Sequence, residues 1–425
     1  MSGPVVFDLT ELLLASTGKT RFYGIARTVA EIGGALARIA PPVRFSLHSA
    51  AHDRFFEITA STAGDRTAFD VPVGLRQWRV RSVHPVRRPL HDAGSAILRA
   101  VANARSRRTW AQAGVELPDI DLSGATLVSC ASPKVIVEQL ATLDRRRIRV
   151  RLVPLLHDMM PIHDRFEPRR ADFPAKFVAD NAHIIRRAER LLANSAFTRD
   201  EILRFAGDGT LPGLPEGGVH VVPLVHECSV ETGPVETAPP DGPYILTVGA
   251  MLGRKNLEAS LDALSLMRGA GGPVPRLVVA GARRKTTDEH LASDARADIR
   301  DLVEVRHSPS QAELVALYRG AVATVVASRM EGWGLPAGES LWLGTPAICA
   351  DVPALREVAG DLGLYFDPDA PDALADYLCR LITDGLYTSA LRRKIAAAHP
   401  TLRTWNDVAH DLLSALEREP SGPTR

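Results

Sequence analysis

The sequence predicts an α/β protein of two doubly wound domains facing a cleft. Three observations carry this expectation. Short β-rich runs alternate with helical patterns along most of the chain, which implies parallel sheets covered on both faces. The alternation runs twice, on either side of a Pro-, Gly-, Thr- and Glu-rich segment from Ser229 to Pro243 that reads as an interdomain linker. A length of 425 residues suits two domains, each able to bury a core.

In chain order, Val5-Val6-Phe7 opens the first set of strands. Val43 to Leu47, Thr126 to Val128, Val150 to Leu156, Leu191 to Ala193 and Val219 to Val222 follow. Pro154 blurs the limits of the fourth run, because proline donates no ladder hydrogen bond. The second set comprises Tyr244 to Val248, Leu277 to Ala280, Val303 to Val305, Thr324 to Val326 and Ala347 to Cys349. In such sheets ligands bind at the carboxyl ends of the strands.

Composition narrows the function classes. Hydrophobic residues make up 45% and charged residues 24%, as in an ordinary globular enzyme. A net charge of +1 gives no nucleic-acid signature. Cys130, Cys228, Cys349 and Cys379 lack metal-like spacing and suit reduced thiols of a cytoplasmic protein. Asp8 and Glu11 interrupt the first apolar stretch, so the start does not resemble a signal peptide. No run reaches the ~18 apolar residues that a membrane span needs. The expectation is a cytoplasmic protein, either soluble or peripheral at the inner membrane face.

The most informative segment runs from Glu331 to Glu339, Glu-Gly-Trp-Gly-Leu-Pro-Ala-Gly-Glu. It lies between the strand Ala323–Ala327 and a helical stretch that ends at Gly344-Thr345-Pro346. Backbone N–H groups at such a helix start attract phosphate. Pro336 suits the first helical turn, where its missing N–H costs nothing. Two carboxylates beside an anion site suit a ligand with both phosphate and hydroxyls, such as a nucleotide-sugar. Taken alone, the pair equally suits a turn that happens to hold two acids.

A second strand–loop–helix segment carries cations. Gly249 to Asn256 follows the strand ending at Val248, with Arg254 and Lys255 at the turn. The spacing is not that of a P-loop, and no Gly-x-Gly-x-x-Gly follows a strand, which argues against a dinucleotide oxidoreductase. An Arg fork beside a Lys point charge can balance a diphosphate without metal. A surface-charged helix start would look the same in isolation.

The ordered series of motifs resembles the retaining GT-B glycosyltransferases of the group 1 type, glycosyltransferase family 4. From Tyr244 to Pro368 the matching segments are Val248-Gly249 with Arg254-Lys255-Asn256, then Leu277 to Gly281, Glu313 to Tyr318 and Ser328-Arg329-Met330 before the Glu331 loop. Gly344-Thr345-Pro346 and Glu357 to Asp361 follow. The amino half adds Gly24-Ile25-Ala26-Arg27, His157-Asp158 and Asn194-Ser195 with Thr198-Arg199. Trp405 to Ala409 resembles the last helix of such enzymes, which crosses back to the first domain.

The resemblance implies an acceptor-side domain over 1–228, a linker over 229–243 and a nucleotide-sugar-binding domain over 244–400. A crossing helix over 401–418 and a tail over 419–425 complete the chain. It further implies that Arg254 and Lys255 hold the donor diphosphate and that Glu331 contacts the donor sugar. Gly249 and Asn256 border the donor, and the loop Gly332, Trp333, Gly334 and Leu335 lies close to sugar and phosphate. Glu339 would bond the ribose, and Gly24 would approach the phosphates. His157 would lie over the sugar, and Arg27 would act on the acceptor side. Asp158 either orients the His157 loop or is an ordinary turn aspartate. Many relatives carry Arg where this chain has Ala250, and Phe where it has Trp333.

The implied reaction moves a hexose, GDP-mannose being the first-choice donor, to a hydroxyl of a growing glycan or lipid-linked saccharide with retention. No cofactor or metal is expected: Asp119-Ile120-Asp121 and Asp367-Pro368-Asp369 read as structural. A hinge for domain closure is expected near Ser229 to Pro243. A sugar-nucleotide epimerase of the same architecture and a non-catalytic nucleotide-sugar-binding protein are the alternatives. The stretch from Arg76 to Trp110 holds nine arginines against one acid, Asp92; it suits a solvated, arginine-rich insertion first, and otherwise a patch for anionic lipid or a polyanionic acceptor.

Overall fold

The computed structural model describes residues 3–15, 24–40, 42–64, 66–72, 89–163, 173–229, 235, 238–249 and 252–418. Ala250, the first part of the arginine-rich stretch, much of the expected linker and the tail over 419–425 lie outside the described residues. The chain divides into two compact units. One comprises Met1–Asp164, Pro168–Pro223 and Trp405–Arg425; the other comprises Arg165–Glu167 and Leu224–Thr404.

In the first unit the strands are β1 (Val5–Asp8), β2 (Arg44–Ser49), β3 (Arg54–Ile58), β4 (Ala60–Ala63), β5 (Arg66–Phe69), β6 (Thr126–Ser129), β7 (Arg151–Leu156), β8 (Leu191–Ala193) and β9 (Val219–Val221). Among the described residues, seven form one sheet in the order β3-β2-β1-β6-β7-β8-β9. All its pairs are parallel except β2–β3. That exception, and the antiparallel β4–β5 ribbon, are absent from the strand series read from the sequence. The link between β2 and β3 is too short for a crossover, so the chain turns back, with Asp53 at φ 53°. Pro154 sits within β7 where pairing to β8 begins, since Leu155 and Leu156 pair with Leu192 and Ala193.

Helix Ile25–Ile39 buries Val29, Ile32, Ala35 and Leu36 on one face. The last helix, Trp405–Glu417, packs on it through a stripe of Val408, Ala409, Leu412 and Leu416. Two polar ties fix the register of this helix. Arg38 Nη2 donates to Asn406 Oδ1 at 3.2 Å, and buried Arg190 donates through Nη1 to the Ala415 carbonyl.

The second unit holds β10 (Tyr244–Val248), β11 (Arg276–Gly281), β12 (Val303–His307), β13 (Ala323–Val326), β14 (Ala347–Ala350) and β15 (Leu364–Phe366). They form an all-parallel sheet in the order β12-β11-β10-β13-β14-β15. The order reverses between β10 and β13, which is the place where such sheets open a crevice for ligands. Buried Tyr244 locks β10 to helix Gln311–Gly320: its hydroxyl donates to the Leu317 carbonyl at 2.8 Å. Gly320 is required beside it, because a Cβ there would stand 2.5 Å from that hydroxyl oxygen.

Leu412 is fully buried between the last helix and the body of the first unit. Leu412→Ala is expected to cost roughly 2–5 kcal/mol of that unit's stability. Urea denaturation checks this; a loss under about 1 kcal/mol would show that the last helix is a loose appendage.

Candidate functional site

The site begins with register. Leu246 of β10 pairs with Thr324 of β13, and both strands end two residues later, at Val248 and Val326. The loops that follow therefore emerge side by side at the carboxyl edge. Gly249 turns the first loop at φ 110°, a value that L side chains rarely adopt, and its N–H is held by the Ala280 carbonyl at 2.8 Å. A short 3₁₀ turn, Gly253–Lys255, then presents Arg254 and Lys255, and Asn256 enters helix Leu257–Gly269 at φ 53°.

The two loops are stitched together. Arg329 N donates to the Arg254 carbonyl at 2.9 Å. Asn256 Nδ2 donates to the Pro368 carbonyl at 2.9 Å, while Arg329 reaches Asn256 Oδ1 and pairs with Asp369. Asp367 Oδ1 accepts from Asp369 N at 2.9 Å, and Asp119 pairs with Arg54 at 3.0 Å. Both Asp-x-Asp triplets thus have members engaged in local structure.

Glu331 is the centre of the arrangement. Its carboxylate is buried and accepts from Lys255 Nζ at 2.5 Å and from Arg254 Nη1 at 3.4 Å. Arg254 Nη1 also donates to the Met330 carbonyl at 2.8 Å. Burial pushes the Glu331 carboxyl upward, but the charges of Lys255 and Arg254 and hydrogen bonds from Lys255 and Ser328 outweigh it. The net shift is below the usual glutamate value, so the group is a carboxylate at neutral pH.

The helix after this loop, Leu335–Trp342, starts at Gly334 with φ 107°. A Cβ at Gly334 would stand 2.4 Å from Leu355 Cδ2, so both backbone and space demand glycine. Glu339, one turn inside, is buried and accepts from the buried Tyr318 hydroxyl at 2.8 Å. The sequence reading did not single out Tyr318; its signal was a hydroxyl on the apolar face of a helix, which needs a partner once buried.

Behind the loop lies a second support missed in the sequence. Trp333 Nε1 donates to the Val225 carbonyl at 3.0 Å. A Cβ at Gly338 would stand 2.9 Å from that same oxygen. His226 bridges Val358 and Arg403: Nε2 donates to the Val358 carbonyl at 2.8 Å and Nδ1 accepts from Arg403 N at 3.0 Å. This pattern fixes a neutral ring, and burial, helped by the Arg403 charge, lowers its pKa despite the Val358 bond.

The remaining candidates lie in the first unit. Gly24 precedes helix Ile25–Ile39 at φ 57° with open space where a Cβ would be, and Arg27 is in its first turn. His157 follows β7, partly buried, with Nε2 2.7 Å from the Cys130 carbonyl, so Nε2 carries the hydrogen. Burial lowers its pKa despite that bond and the charges of Asp158 and Glu11. Asp158 Oδ1 accepts from Met160 N at 3.1 Å and opens the 3₁₀ turn Met160–Ile162. Unforeseen in the sequence, Asp8 at the end of β1 is fully buried, accepting from Ser129 Oγ at 2.8 Å and Thr10 N at 3.0 Å.

The sign of the His226 effect gives a test. A histidine whose folded pKa lies below 6.5 supports the fold while neutral, and that support fades as pH falls below about 6.5. The urea midpoint read by tryptophan fluorescence should drop with acidification, and His226→Gln should remove part of that drop. Identical pH profiles for the two proteins would refute the assignment.

Residues 231–399 match the family described as glycosyl transferases group 1. An Escherichia coli protein named O-antigen chain mannosyltransferase B is 30% identical over 155 residues, 36% of this chain and 39% of that protein. A D-inositol 3-phosphate glycosyltransferase of Acidothermus cellulolyticus is 28% identical over 282 residues, 61% of each chain. The match thus spans less than two thirds of either relative. In fold, sucrose-phosphate synthase from Thermosynechococcus elongatus superposes with a TM-score of 0.64 at 15% identity, over 97% of this chain and 98% of its own. The trehalose-6-phosphate synthase OtsA gives 0.60 at 12% identity, over 99% and 100%. Residues 231–399 therefore resemble the group 1 glycosyl transferases, and the chain that carries them has the GT-B fold.

Proposed function

We propose that this chain is a retaining, metal-independent hexosyltransferase. It moves a sugar, mannose by first choice, from a nucleotide-sugar to a hydroxyl of a growing glycan or lipid-linked saccharide, working at the cytoplasmic side of a membrane. The observation that carries this reading is the meeting of Lys255, Arg254 and Glu331 on adjacent loops at the switch point of the second sheet. Cations there can receive a diphosphate, and a carboxylate between them can bond sugar hydroxyls. The relative named O-antigen chain mannosyltransferase B supports mannose.

In the proposed mechanism the C–O bond to the leaving diphosphate breaks as the acceptor oxygen attacks from the same face. The diphosphate oxygen takes the acceptor proton. The protein then contributes position and charge stabilisation rather than a paired acid and base. Lys255 is the main counter-charge, because its flexible ammonium can leave Glu331 for phosphate. Arg254, tied to the Met330 carbonyl, holds the Glu331 loop as well as adding charge. Glu339, steadied by Tyr318, takes the ribose hydroxyls. The roles of Gly24, Arg27, His157 and Asp158 rest on the family resemblance.

A second reading concerns the acceptor. Relatives named D-inositol 3-phosphate glycosyltransferase match over 61% and 67% of this chain, more than the mannosyltransferase does. That favours testing a phosphorylated polyol beside glycan acceptors.

Two experiments test the proposal. Thermal shift against GDP, UDP, dTDP and ADP, each with and without EDTA, is expected to show one stabilising nucleotide and no effect of EDTA. No shift with any of them, or one abolished by EDTA, contradicts the donor site as described. In turnover assays Lys255→Ala should cost about 3 kcal/mol, roughly 100-fold in rate. Glu331→Ala should lower kcat strongly, whereas Glu339→Ala should mainly raise the donor KM. Equal kcat for wild type and Glu331→Ala would sink this division of roles.

A further inference from the structure

The strand register of the first unit brings three side chains to one edge. Phe7 of β1, Val128 of β6 and Val153 of β7 form one row across the sheet, so Asp8, Ser129 and Pro154 form the next. Glu11, Ser132 and His157 each follow that row by three residues, past the carboxyl ends of adjacent strands. The strand order reverses between β1 and β6, so this edge is the switch point of the first sheet.

Two carboxylates build the edge. Asp8 holds the start of helix Thr10–Ala15 through Thr10 N at 3.0 Å and ties it to β6 through Ser129 Oγ at 2.8 Å. Glu11, in the first turn of that helix, reaches across to the loop after β6. Its Oε2 accepts from Ser132 N at 3.0 Å and from Ser132 Oγ at 2.9 Å. Ser132 is the N-cap of helix Pro133–Arg146, where a serine oxygen normally accepts from the helix's own N–H groups. It makes no such bond and gives its hydrogen to Glu11 instead. In the same loop the Cys130 carbonyl accepts from His157 Nε2 at 2.7 Å.

These bonds leave one kind of group open. Glu11 is partly buried, yet among the described residues nothing donates to its Oε1. His157 Nδ1 keeps a lone pair, because Nε2 carries the hydrogen. Ser132 Oγ, its hydrogen committed, keeps lone pairs as well. The charges that act on His157 are those of Asp158 and Glu11, both negative. Three open acceptors call for a ligand that brings donors, and a carboxylate among them repels phosphate. Neighbouring hydroxyls of an uncharged sugar meet both conditions; a phosphorylated polyol meets only the first. A tie between the two loops would need Glu11 Oε2 alone.

We propose that Glu11 is a specificity-determining residue for the acceptor: beside Ser132 and His157 it takes hydroxyls of an unphosphorylated sugar and excludes a phosphorylated polyol. The inference deepens the glycan-acceptor reading and rests on the transferase reading for calling this sugar the acceptor.

The test reads binding without turnover, by saturation-transfer NMR on the full chain. The probes are methyl α-mannoside, methyl α-glucoside and myo-inositol 1-phosphate. Nucleotide thermal shift in parallel reports on the donor site alone. Wild type should bind at least one methyl glycoside and leave the inositol phosphate unbound. Glu11→Gln keeps an oxygen for Ser132 but puts an N–H donor at the open position. It should weaken the glycoside about tenfold, with melting temperature and nucleotide shift as in wild type. Analogues of that glycoside lacking one hydroxyl each add a readout that a structural role would not move. Wild type should bind one of them more weakly than the parent, and Glu11→Gln should not distinguish the two. Should Glu11→Gln misfold, Ser132→Ala should still weaken the glycoside severalfold. Wild type that binds no glycoside, or variants that bind it as wild type does, would overturn the proposal. So would inositol phosphate binding that is lost in a variant of exposed Lys134, Lys134→Gln. Glycoside binding that depends on Glu11, without any nucleotide shift, would sink the donor site and leave this sugar site standing.

Discussion

A buried carboxylate stays ionised at neutral pH most readily beside a counter-charge, and two loops of the second unit give Glu331 two such charges. The Lys255 ammonium and Arg254 guanidinium come from one loop and Glu331 from another, so the pair forms only when both loops are placed to within a fraction of an ångström. Parallel pairing of β10 with β13 sets that placement, and the Arg329–Arg254 backbone bond locks it. Without a partner, Glu331 would be forced towards protonation by burial; with two, it is ionised and preorganised.

The same constraint explains where glycine is indispensable. Gly334 must turn the chain at positive φ within contact distance of Leu355, or Glu331 and the following helix start cannot occupy one crevice. Gly338 lets that helix approach the segment at Val225, where the Trp333 indole finds its acceptor. His226 holds this segment to Val358 and Arg403, so a neutral imidazole behind the loop contributes to the position of the carboxylate in front of it. The Trp333 and His226 supports are hydrogen bonds to backbone groups, which fix geometry without adding charge near Glu331.

The first unit shows the opposite use of polarity. Asp8 is buried without any cation: hydroxyl and amide donors satisfy it, and burial raises its pKa above the usual aspartate value. Outside that core, Trp110 of helix Pro89–Gln112 packs on Phe56, while Ile97, Leu98 and Val101 of the same helix are exposed.

The sequence by itself determined the doubly wound class, most of the parallel strands and the two glycine-rich loops, because these follow from local periodicity and turn chemistry. It also contained the residues of the candidate site as an ordered series. It did not contain the antiparallel β3, whose short link from β2 carries no proline or glycine turn signal, nor the β4–β5 ribbon. Only the tertiary structure decided that Lys255 and Arg254 meet at Glu331, that Tyr318 reaches Glu339, and that Trp333 bonds the Val225 carbonyl. Such relations join residues far apart in the chain and leave no periodic trace in the sequence.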